Sequence, residues 1–268
     1  MTNPTDPTEL RTLAEQLAVA AGDLAAAGRR DLGAGRTMAH GTKSSATDPV
    51  TEFDRAAEAL LDTELRRLRP HDALVGEEGA ARSGTSGLEW HVDPIDGTVN
   101  YVYDLPAWCT SVAVADGDGP LAGAVFVPPT GELFSAARGA GATLNGSRIV
   151  CSGADELATA LVATGFSYLP QRRSHQAARV ARLVTEVRDV RRFGSAALDL
   201  CTVACGRIDA YYEEHLNSWD IAAGVLIAAE AGATTSDFQG GPAGPAETVA
   251  AAPGVHRALI TAIARTAS

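Results

Sequence analysis

The segment Asp93-Pro94-Ile95-Asp96-Gly97-Thr98 places two carboxylates three residues apart around a stiff turn. Pro94 fixes its own φ and favours an extended Asp93, and Gly97 permits a conformation or close approach that a Cβ would block. Thr98 is placed to cap the short helix that follows. Carboxylates that converge beside helix-start N–H groups can hold hard cations and a phosphate together. In isolation, such a segment is more often a plain Asx-type turn.

A second pair of acids occurs in Gly76-Glu77-Glu78-Gly79, at the end of a predicted strand over 73–75. The ends of strands are where α/β folds build their sites. Adjacent residues on a pleated strand face opposite sides, so one acid is a candidate ligand and the other is expected to be solvated. Alone, this tetrapeptide is typical of an exposed loop.

A further carboxylate, Asp220, lies in the first turn of a helix predicted over 218–231. Acids in this position usually serve the helix dipole. The rest of this helix is nearly all apolar, so we expect it to be buried on most faces. A carboxylate at the mouth of a buried helix needs a partner.

Lysine usage is unusual, because 21 of the 22 basic residues are Arg and Lys43 is the single lysine. Chance is the simple interpretation. The functional interpretation is a site that needs a compact ammonium, which a guanidinium fork cannot replace.

Composition sets the class of protein. The 268 residues are 46% hydrophobic and 21% charged, with a net charge of −11, which is typical of a soluble globular chain. The acidic field disfavours non-specific nucleic-acid binding, and an anionic substrate would need a locally inverted site. No run is long enough to span a membrane, no secretory signal is visible, and four cysteines are too few for a disulfide scaffold. We expect a cytoplasmic protein.

The elements that must position these residues form two patterns. Up to about residue 150, we predict helices over 8–29, with Thr8 as N-cap, over 50–68 and, in a short form, over 99–103. The predicted strands and β runs are 73–75, 89–92, 108–115, 121–127 and 132–136, followed by a hairpin over 139–148. The segments 30–48 and 79–88 are predicted to be loops. Beyond it, we predict strands over 160–164, 190–193 and 209–213 alternating with helices over 171–186, 195–205 and 218–231, then two short strands and a helix near 255–265. The fold class is mixed α/β with layered helices and sheets. We expect a single domain over 1–268, with an N-terminal lobe of about 1–150 and a C-terminal lobe of about 151–268.

Other features are given structural interpretations. Cys201 and Cys205, one helical turn apart, lack two further ligands for zinc and are expected to be buried. Arg188, Arg191 and Arg192 are interpreted as a solvated face.

Taken together, the motifs resemble a known family. The blocks Trp90-His91-Val92-Asp93-Pro94-Ile95-Asp96-Gly97-Thr98-Val99-Asn100-Tyr101 and Trp219-Asp220-Ile221-Ala222-Ala223-Gly224, with Gly76-Glu77-Glu78, Lys43-Ser44-Ser45 and Asp209-Ala210-Tyr211-Tyr212-Glu213 in the expected order, are similar to those of the inositol monophosphatase family. The likeness is strongest to its bacterial SuhB-like branch and spans roughly residues 10–265.

The resemblance implies an αβαβα sandwich and a lithium-sensitive phosphomonoesterase that uses two or three Mg²⁺ ions, with Mn²⁺ as a substitute, usually as a homodimer. By likeness, the metal ligands are Glu77, Asp93, the Ile95 carbonyl, Asp96 and Asp220, with Asp93 bridging the ions. The resemblance further places Thr98 at the attacking water, the Gly97 and Thr98 N–H groups at the phosphate, and Glu213, Ser195, Ala196 and Asp96 among the substrate contacts. Glu77, Asp93, Thr98 and Asp220 would be the catalytic set, Asp54 a supporting acid, and Lys43 a phosphate-side lysine.

The function implied is hydrolysis of myo-inositol 1-phosphate to inositol and phosphate by metal-activated water. The alternatives are a related phosphatase acting on fructose 1,6-bisphosphate, histidinol phosphate, NADP or a 3′-phosphoadenosine nucleotide, or a SuhB-like regulatory partner of the transcription machinery. The segment 164–175 matches the family less clearly, which leaves the substrate open. Val99 and Tyr101 replace the usual Thr and Phe, a change we expect to affect packing only.

Overall fold

The computed structural model describes residues 6–33, 37–43 and 47–265. The helices are α1 (Pro7–Leu32), α2 (Glu52–Leu68), α3 (Thr98–Val102), α4 (Pro170–Leu183), α5 (Ala196–Ala204), α6 (Ser218–Glu230) and α7 (Pro253–Ala264). The strands are β1 (Gly41–Thr42), β2 (Pro49–Val50), β3 (Ala73–Gly76), β4 (Ala81–Arg82), β5 (Glu89–Asp96), β6 (Cys109–Asp116), β7 (Gly119–Val127), β8 (Glu132–Ala137), β9 (Gly141–Leu144), β10 (Ser147–Arg148), β11 (Leu161–Thr164), β12 (Asp189–Arg191), β13 (Ala210–Glu214), β14 (Thr234–Ser236) and β15 (Glu247–Ala251).

Two large sheets organise these elements. The first has eight strands in the order β10-β9-β8-β7-β6-β5-β3-β4, and the second has five in the order β12-β11-β13-β15-β14. In the first sheet, β3 and β5 are parallel, whereas β5 to β10 form an antiparallel meander. The parallel pair matters for function, because parallel strands end at the same edge of a sheet.

Helices and sheets alternate in five layers. α1 and α2 pack against one face of the eight-stranded sheet, and α5 and α6 fill the space between the two sheets. α4 and α7 cover the outer face of the five-stranded sheet. This αβαβα order confirms the predicted fold class. In the described part of the chain, no helix is both long enough and apolar enough to cross a membrane.

Strand β5, which carries the acidic turn, is anchored by a buried tryptophan. The Trp90 side chain is fully buried, and its indole N–H donates to Oδ2 of Asp72 at 2.9 Å. Arg69 Nε donates to the same oxygen at 2.6 Å, so the buried acid is satisfied by two donors. The Trp90 ring is buried in one cluster with residues of α1 and α2. It thereby anchors β5, the strand that leads into the acidic turn, against the helix layer.

Several boundaries differ from the predictions. The N-cap of α1 is Asp6, whose carboxylate accepts from the Thr8 N–H at 2.9 Å, so the assignment of Thr8 was wrong. α1 continues to Leu32, inside the predicted loop over 30–48, and that loop also contains β1, whereas β2 follows directly after it. Residues 34–36 and 44–46, which include Ser44 and Ser45, lie outside the described residues.

Candidate functional site

The parallel pair of strands brings the first two predicted ligands together. Gly76, the last residue of β3, pairs with Val92 of β5, so the next residues along each strand, Glu77 and Asp93, emerge at the same sheet edge. Burial raises the pKa of Asp93, and the charge of Glu77 contributes to the rise, so the two carboxylates interact. Asp93 is only 1% exposed, and its Oδ1 accepts from the Ile95 N–H at 3.0 Å.

The end of β5 turns sharply to present Asp96. Gly97 adopts φ 94°, and a Cβ there would stand 2.9 Å from the Ala107 carbonyl oxygen, so both its conformation and its surroundings require glycine. Asp96 Oδ2 accepts from Ser195 Oγ and from the Ala197 N–H, each at 2.7 Å. The beginning of α5, in the layer between the two sheets, therefore holds the Asp96 carboxylate in place.

Thr98 does not cap the helix that it begins. Gly97 is the N-cap of α3, and the Thr98 hydroxyl lies 3.0 Å from the Ile95 carbonyl oxygen and 3.2 Å from Asp54 Oδ1. The predicted capping role was wrong. The hydroxyl donates toward Asp54 and the Ile95 carbonyl oxygen and does not accept from a backbone N–H of α3. Asp54 itself is held by the Thr51 N–H at 2.8 Å, and burial raises its pKa.

Asp220 lies in the first turn of α6, where the sequence places it. Its Oδ2 accepts from the Asn217 N–H at 2.6 Å, a bond that supports the start of the helix. The partner required by a carboxylate at a buried helix is therefore partly the backbone N–H of Asn217, the N-cap residue of α6.

Residues from distant parts of the chain line one cavity of about 400 Å³. The predicted site residues on its wall are Lys43, Glu77, Asp93, Ile95, Asp96, Gly97, Thr98, Ser195, Ala196, Glu213 and Asp220. Asp54 stands behind Thr98 instead. In all, the described lining includes seven carboxylates and three Lys or Arg side chains, so the cavity repels anions unless cations occupy it.

The electrostatics of the acids reflect this crowding. Burial raises the pKa of Asp93 well above its ordinary value, and the charges of Glu77, Asp96 and Asp220 raise it further. Burial also raises the pKa of Asp220, again with Asp96 and Glu77 contributing. The pKa of Asp96 rises to about 6 because burial outweighs the hydrogen bonds from Ser195 and Ala197. The three carboxyl groups oppose one another's ionisation, and a bound multivalent cation would offset the repulsion between their negative charges.

The donor set fits a hard cation. Every candidate ligand offers oxygen, which Mg²⁺ and Ca²⁺ prefer, and Glu77 Oε2 is buried without a hydrogen-bond donor. Lys43 Nζ lies 2.8 Å from Glu77 Oε1 and also pairs with Glu78. Among the described residues, no three acid, histidine or cysteine side chains have the spacing of a closed metal site. The side chains thus converge on one cavity without the tight ligand geometry of a loaded site.

Glu213, near the end of β13, also lines the cavity. Tyr211 Oη donates to its Oε2 at 2.8 Å. Burial raises the pKa of Glu213 to about 7, although the hydrogen bond from Tyr211 and the charge of Arg192 oppose the rise. A carboxylate of this kind can accept from a hydroxyl group of a bound alcohol.

The prediction that one of the two adjacent acids is solvated was wrong. The Glu78 side chain is 6% exposed, less than Glu77 at 21%, and it faces Lys43. The alternation rule does not apply, because β3 ends at Gly76 and both acids lie in the turn after it.

Two further residues were not found from the sequence. Arg192 lines the acidic cavity and a neighbouring cavity of about 680 Å³, so the interpretation of Arg188, Arg191 and Arg192 as a solvated face holds only in part. Glu58 is buried behind the Glu77 turn. Its spacing of four residues from Asp54, which places both on one helix face, was the available signal. Of the cysteines, Cys201 is buried and Cys205 is half-buried.

Comparison with known proteins agrees with this arrangement. The model of the inositol monophosphatase family matches residues 6–268. The chain belongs to the inositol monophosphatase family. The chain is 46% identical to an inositol-1-monophosphatase of Mycobacterium leprae, over 97% of this chain and 95% of that protein.

Structures and other members of the family extend this result. The solved structure of Mycobacterium tuberculosis SuhB superimposes with a TM-score of 0.84 at 42% identity, covering 98% of each chain. A protein of Xylella fastidiosa named Nus factor SuhB is 41% identical over 76% of this chain and 74% of its own length. Membership of the inositol monophosphatase family agrees with the five-layer fold described above.

Proposed function

We propose that this protein hydrolyses myo-inositol 1-phosphate to inositol and phosphate with the help of Mg²⁺. The observation that carries the proposal is the convergence of Glu77, Asp93, Asp96 and Asp220 on one cavity. The relative from Mycobacterium leprae that bears the name inositol-1-monophosphatase supports the substrate.

Residues on both sides of the cavity would hold the cations. One ion would be bound by Glu77, Asp93 and the Ile95 carbonyl oxygen. A second would be bound by Asp93, Asp96 and Asp220, and a third ion is also compatible with the proposal. Mn²⁺ is expected to substitute, since it takes the same oxygen ligands. Bound Mg²⁺ supplies positive charge against the phosphate dianion and the leaving alkoxide, and it acidifies water.

The chain's own groups then orient the reactants. The Thr98 hydroxyl donates toward the Ile95 carbonyl oxygen and Asp54 Oδ1, so its oxygen can accept from a water at a fixed position beside the phosphate. The N–H groups of Gly97 and Thr98 face the phosphate oxygens in this proposal. Asp220 would hold the water that returns a proton to the leaving oxygen.

The alcohol side would be recognised by Glu213. Inositol presents several hydroxyl groups, and the half-buried carboxylate of Glu213, held by Tyr211, can accept from one or two of them. Ser195 and Ala196, which also line the cavity, would add backbone contacts to the alcohol.

The decisive experiment is a panel of substrates assayed for phosphate release. The panel contains inositol 1-phosphate, fructose 1,6-bisphosphate, histidinol phosphate, NADP and a 3′-phosphoadenosine nucleotide, each with Mg²⁺ and with EDTA. We expect the highest kcat/KM for inositol 1-phosphate and no turnover in EDTA. A higher kcat/KM for another member of the panel would reassign the substrate, and turnover in EDTA would overturn the metal-assisted reaction.

The proposal includes further properties of the family. We expect a cytoplasmic homodimer, inhibited by Li⁺ in competition with a Mg²⁺ ion. Gel filtration with light scattering measures the oligomeric state, and Li⁺ titration at several Mg²⁺ concentrations measures the competition.

A second role is favoured by one comparison. The relative from Xylella fastidiosa is named a Nus factor, so we propose a partner in the transcription machinery as the alternative function, bound through protein contacts and without direct contact to nucleic acid. The test is co-purification of RNA polymerase or transcription factors with the Asp93→Asn variant. Recovery of those proteins would support the role, and their absence from a crosslinked sample would exclude it.

A further inference from the structure

Glu58 is a buried acid that lies outside the catalytic cavity. It belongs to α2, and the residue is 4% exposed. Its Oε2 accepts from the Glu78 N–H and its Oε1 from the Ala80 N–H, both at 2.7 Å. Each carboxylate oxygen is therefore engaged by one backbone donor of the same turn, a charge-assisted arrangement that is stronger than a neutral one.

The turn that Glu58 holds is the one that carries Glu77. On one side of Glu77, Gly76 packs so closely on Glu58 that a Cβ would collide with the carboxylate. On the other side stands the Glu78 N–H, which donates to Glu58. The Glu77 N–H itself has only a long bond, 3.3 Å, to the Val92 carbonyl oxygen of β5. Glu58 thus provides two of the short polar contacts that fix this turn, and the Gly76 N–H, which donates to the Ala80 carbonyl oxygen at 2.7 Å, provides another.

The same face of α2 reaches a second part of the site. Asp54, one helical turn before Glu58, lies 3.2 Å from the Thr98 hydroxyl. α2 therefore contacts the Glu77 turn through one carboxylate and the Thr98 region through another. The spacing between these two parts of the cavity is set by the pitch of one rigid helix.

We propose that Glu58 is a positioning residue that holds Glu77 in place for binding a divalent cation. The inference rests on the proposed function only in taking Glu77 as a metal ligand. Groups that orient metal ligands in this way typically change metal affinity by about 10- to 100-fold when they are replaced.

Two substitutions separate positioning from charge. Glu58→Gln removes the charge and leaves one acceptor oxygen for two N–H donors, whereas Glu58→Asp keeps the charge but shortens the side chain by one methylene. If position matters, both variants weaken binding. If only the negative charge matters, Glu58→Asp binds as the wild type does, and that result overturns the proposal.

The measurement is direct binding of Mn²⁺ or Mg²⁺ to the full chain after EDTA treatment, by electron paramagnetic resonance and calorimetry. We expect the Kd of the tightest site to rise about 10- to 100-fold in Glu58→Gln and Glu58→Asp. At saturating Mg²⁺, the KM for inositol 1-phosphate should stay within about threefold of the wild-type value, a smaller change than the metal affinity undergoes. Glu64→Gln, on an exposed part of the same helix, is the matched control and should change neither quantity.

Gly76→Ala provides an independent route. The added methyl displaces the Glu58 carboxylate without changing its charge, so it should weaken cation binding in the same way, and the effect should not add to that of Glu58→Gln. This variant also keeps the test decisive if Glu58→Gln folds poorly by circular dichroism.

The Glu77→Gln variant distinguishes the positioning role of Glu58 from the metal-ligand role of Glu77. If Glu77→Gln loses a cation and the Glu58 and Gly76 variants do not weaken binding, the positioning role is wrong and the proposed function stands. If Glu77→Gln binds cations as tightly as the wild type does, the ligand assignment in the proposed function is wrong, and the positioning role is overturned with it.

Discussion

The ammonium of Lys43 lies 2.8 Å from Oε1 of Glu77. The single lysine of the chain therefore occupies one oxygen of a candidate metal ligand and also pairs with Glu78. Burial lowers the pKa of Lys43, but the two glutamates outweigh burial and keep the pKa above its ordinary value. Lys43 is consequently charged throughout the physiological range, and it competes with an entering cation for the negative charge of Glu77, whose Oε2 has no hydrogen-bond donor within the described part of the chain.

We predict opposite effects of Lys43→Met on metal and substrate. The Mg²⁺ concentration for half-maximal activity should fall, because a competing charge is gone. The KM for inositol 1-phosphate should rise, because one cation beside the phosphate is lost. Kinetics over a grid of both concentrations separate the two constants, and Lys43→Arg tests whether charge alone restores KM. A Mg²⁺ requirement that increases in Lys43→Met would show that the lysine supports the metal site.

The bridging position assigned to Asp93 predicts a large catalytic effect. Asp93→Asn should lower kcat by several orders of magnitude, on the order of 10³-fold or more, since electrostatic stabilisation is a dominant source of catalysis. Its melting temperature without metal should not fall, because the variant removes a buried charge that its neighbours repel. Turnover and thermal denaturation are the measurements. Asp118→Asn, in an exposed turn, is the control, and near-wild-type turnover of Asp93→Asn would exclude the two-metal account.

The position of the Thr98 hydroxyl predicts a contrast between two substitutions. Thr98→Val has nearly the same shape but no hydroxyl, and we expect kcat to fall about 10²-fold if the group handles a proton or water. Thr98→Ser keeps the hydroxyl and should retain most of the activity. Single-turnover assays at saturating Mg²⁺ make the comparison. Equal losses in both variants would indicate packing against Asp54 as the cause.

The raised pKa of Asp96 predicts that the metal-free protein loses stability as the pH rises. The pKa of Asp96 is raised from 3.8 to about 6, so the folded protein holds this proton more tightly than the unfolded chain does. The resulting stabilisation is present below pH 3.8 and is lost as the pH rises through about 6. The melting temperature in EDTA should therefore contain a decreasing contribution between about pH 4 and pH 6, which Asp96→Asn removes.

Added Mg²⁺ should raise the melting temperature more at pH 7.5 than at pH 5, because protons and metal compete for the same oxygens. Ca²⁺ or Mn²⁺ provides a comparison, and an equal shift at both pH values would contradict competition.

Glu213 predicts a pH effect that depends on the substrate. Its pKa is raised to about 7 by burial, and the ionised form is the stronger acceptor for hydroxyl groups. The KM for inositol 1-phosphate should fall as the pH rises through about 7, and Glu213→Gln should remove this step. Phenyl phosphate, which has a similar phosphate and no ring hydroxyls, corrects for ionisation of the phosphate itself. An unchanged profile in Glu213→Gln would exclude this role.

Much of the fold could be predicted from local patterns. The β-rich runs of the β6–β8 meander, which are bounded by turn residues, and the helical spacing of apolar residues in α1 match the observed elements closely. The three strands are buried along most of their length, because helices cover both faces of this sheet. The boundaries were less predictable. Thr8 and Thr98 have capping residue types, but Asp6 and Gly97 occupy the capping positions. Residue type alone does not show which neighbouring group competes for a hydroxyl.

The site shows a different limit. Asp93, Asp96 and Asp220 were recognisable because each stands in a distinctive short motif. Glu58 was not, because its partners are backbone N–H groups, and any sequence supplies those. Only the packing of α2 against the end of β3 makes this carboxylate relevant to Glu77.

The layer formed by α5 and α6 has a consequence for how the protein is made. Ile227 of α6 is buried in the same cluster as Phe134 of the larger sheet and Tyr211 of the smaller sheet, and we propose that the two lobes are one folding unit. The ribosome synthesises β3 and β5 long before it reaches Asp220. The nascent chain therefore contains Glu77, Asp93 and Asp96 before α6 covers the inner face of the larger sheet. Under the proposed function, it would complete its magnesium site only when translation is nearly finished.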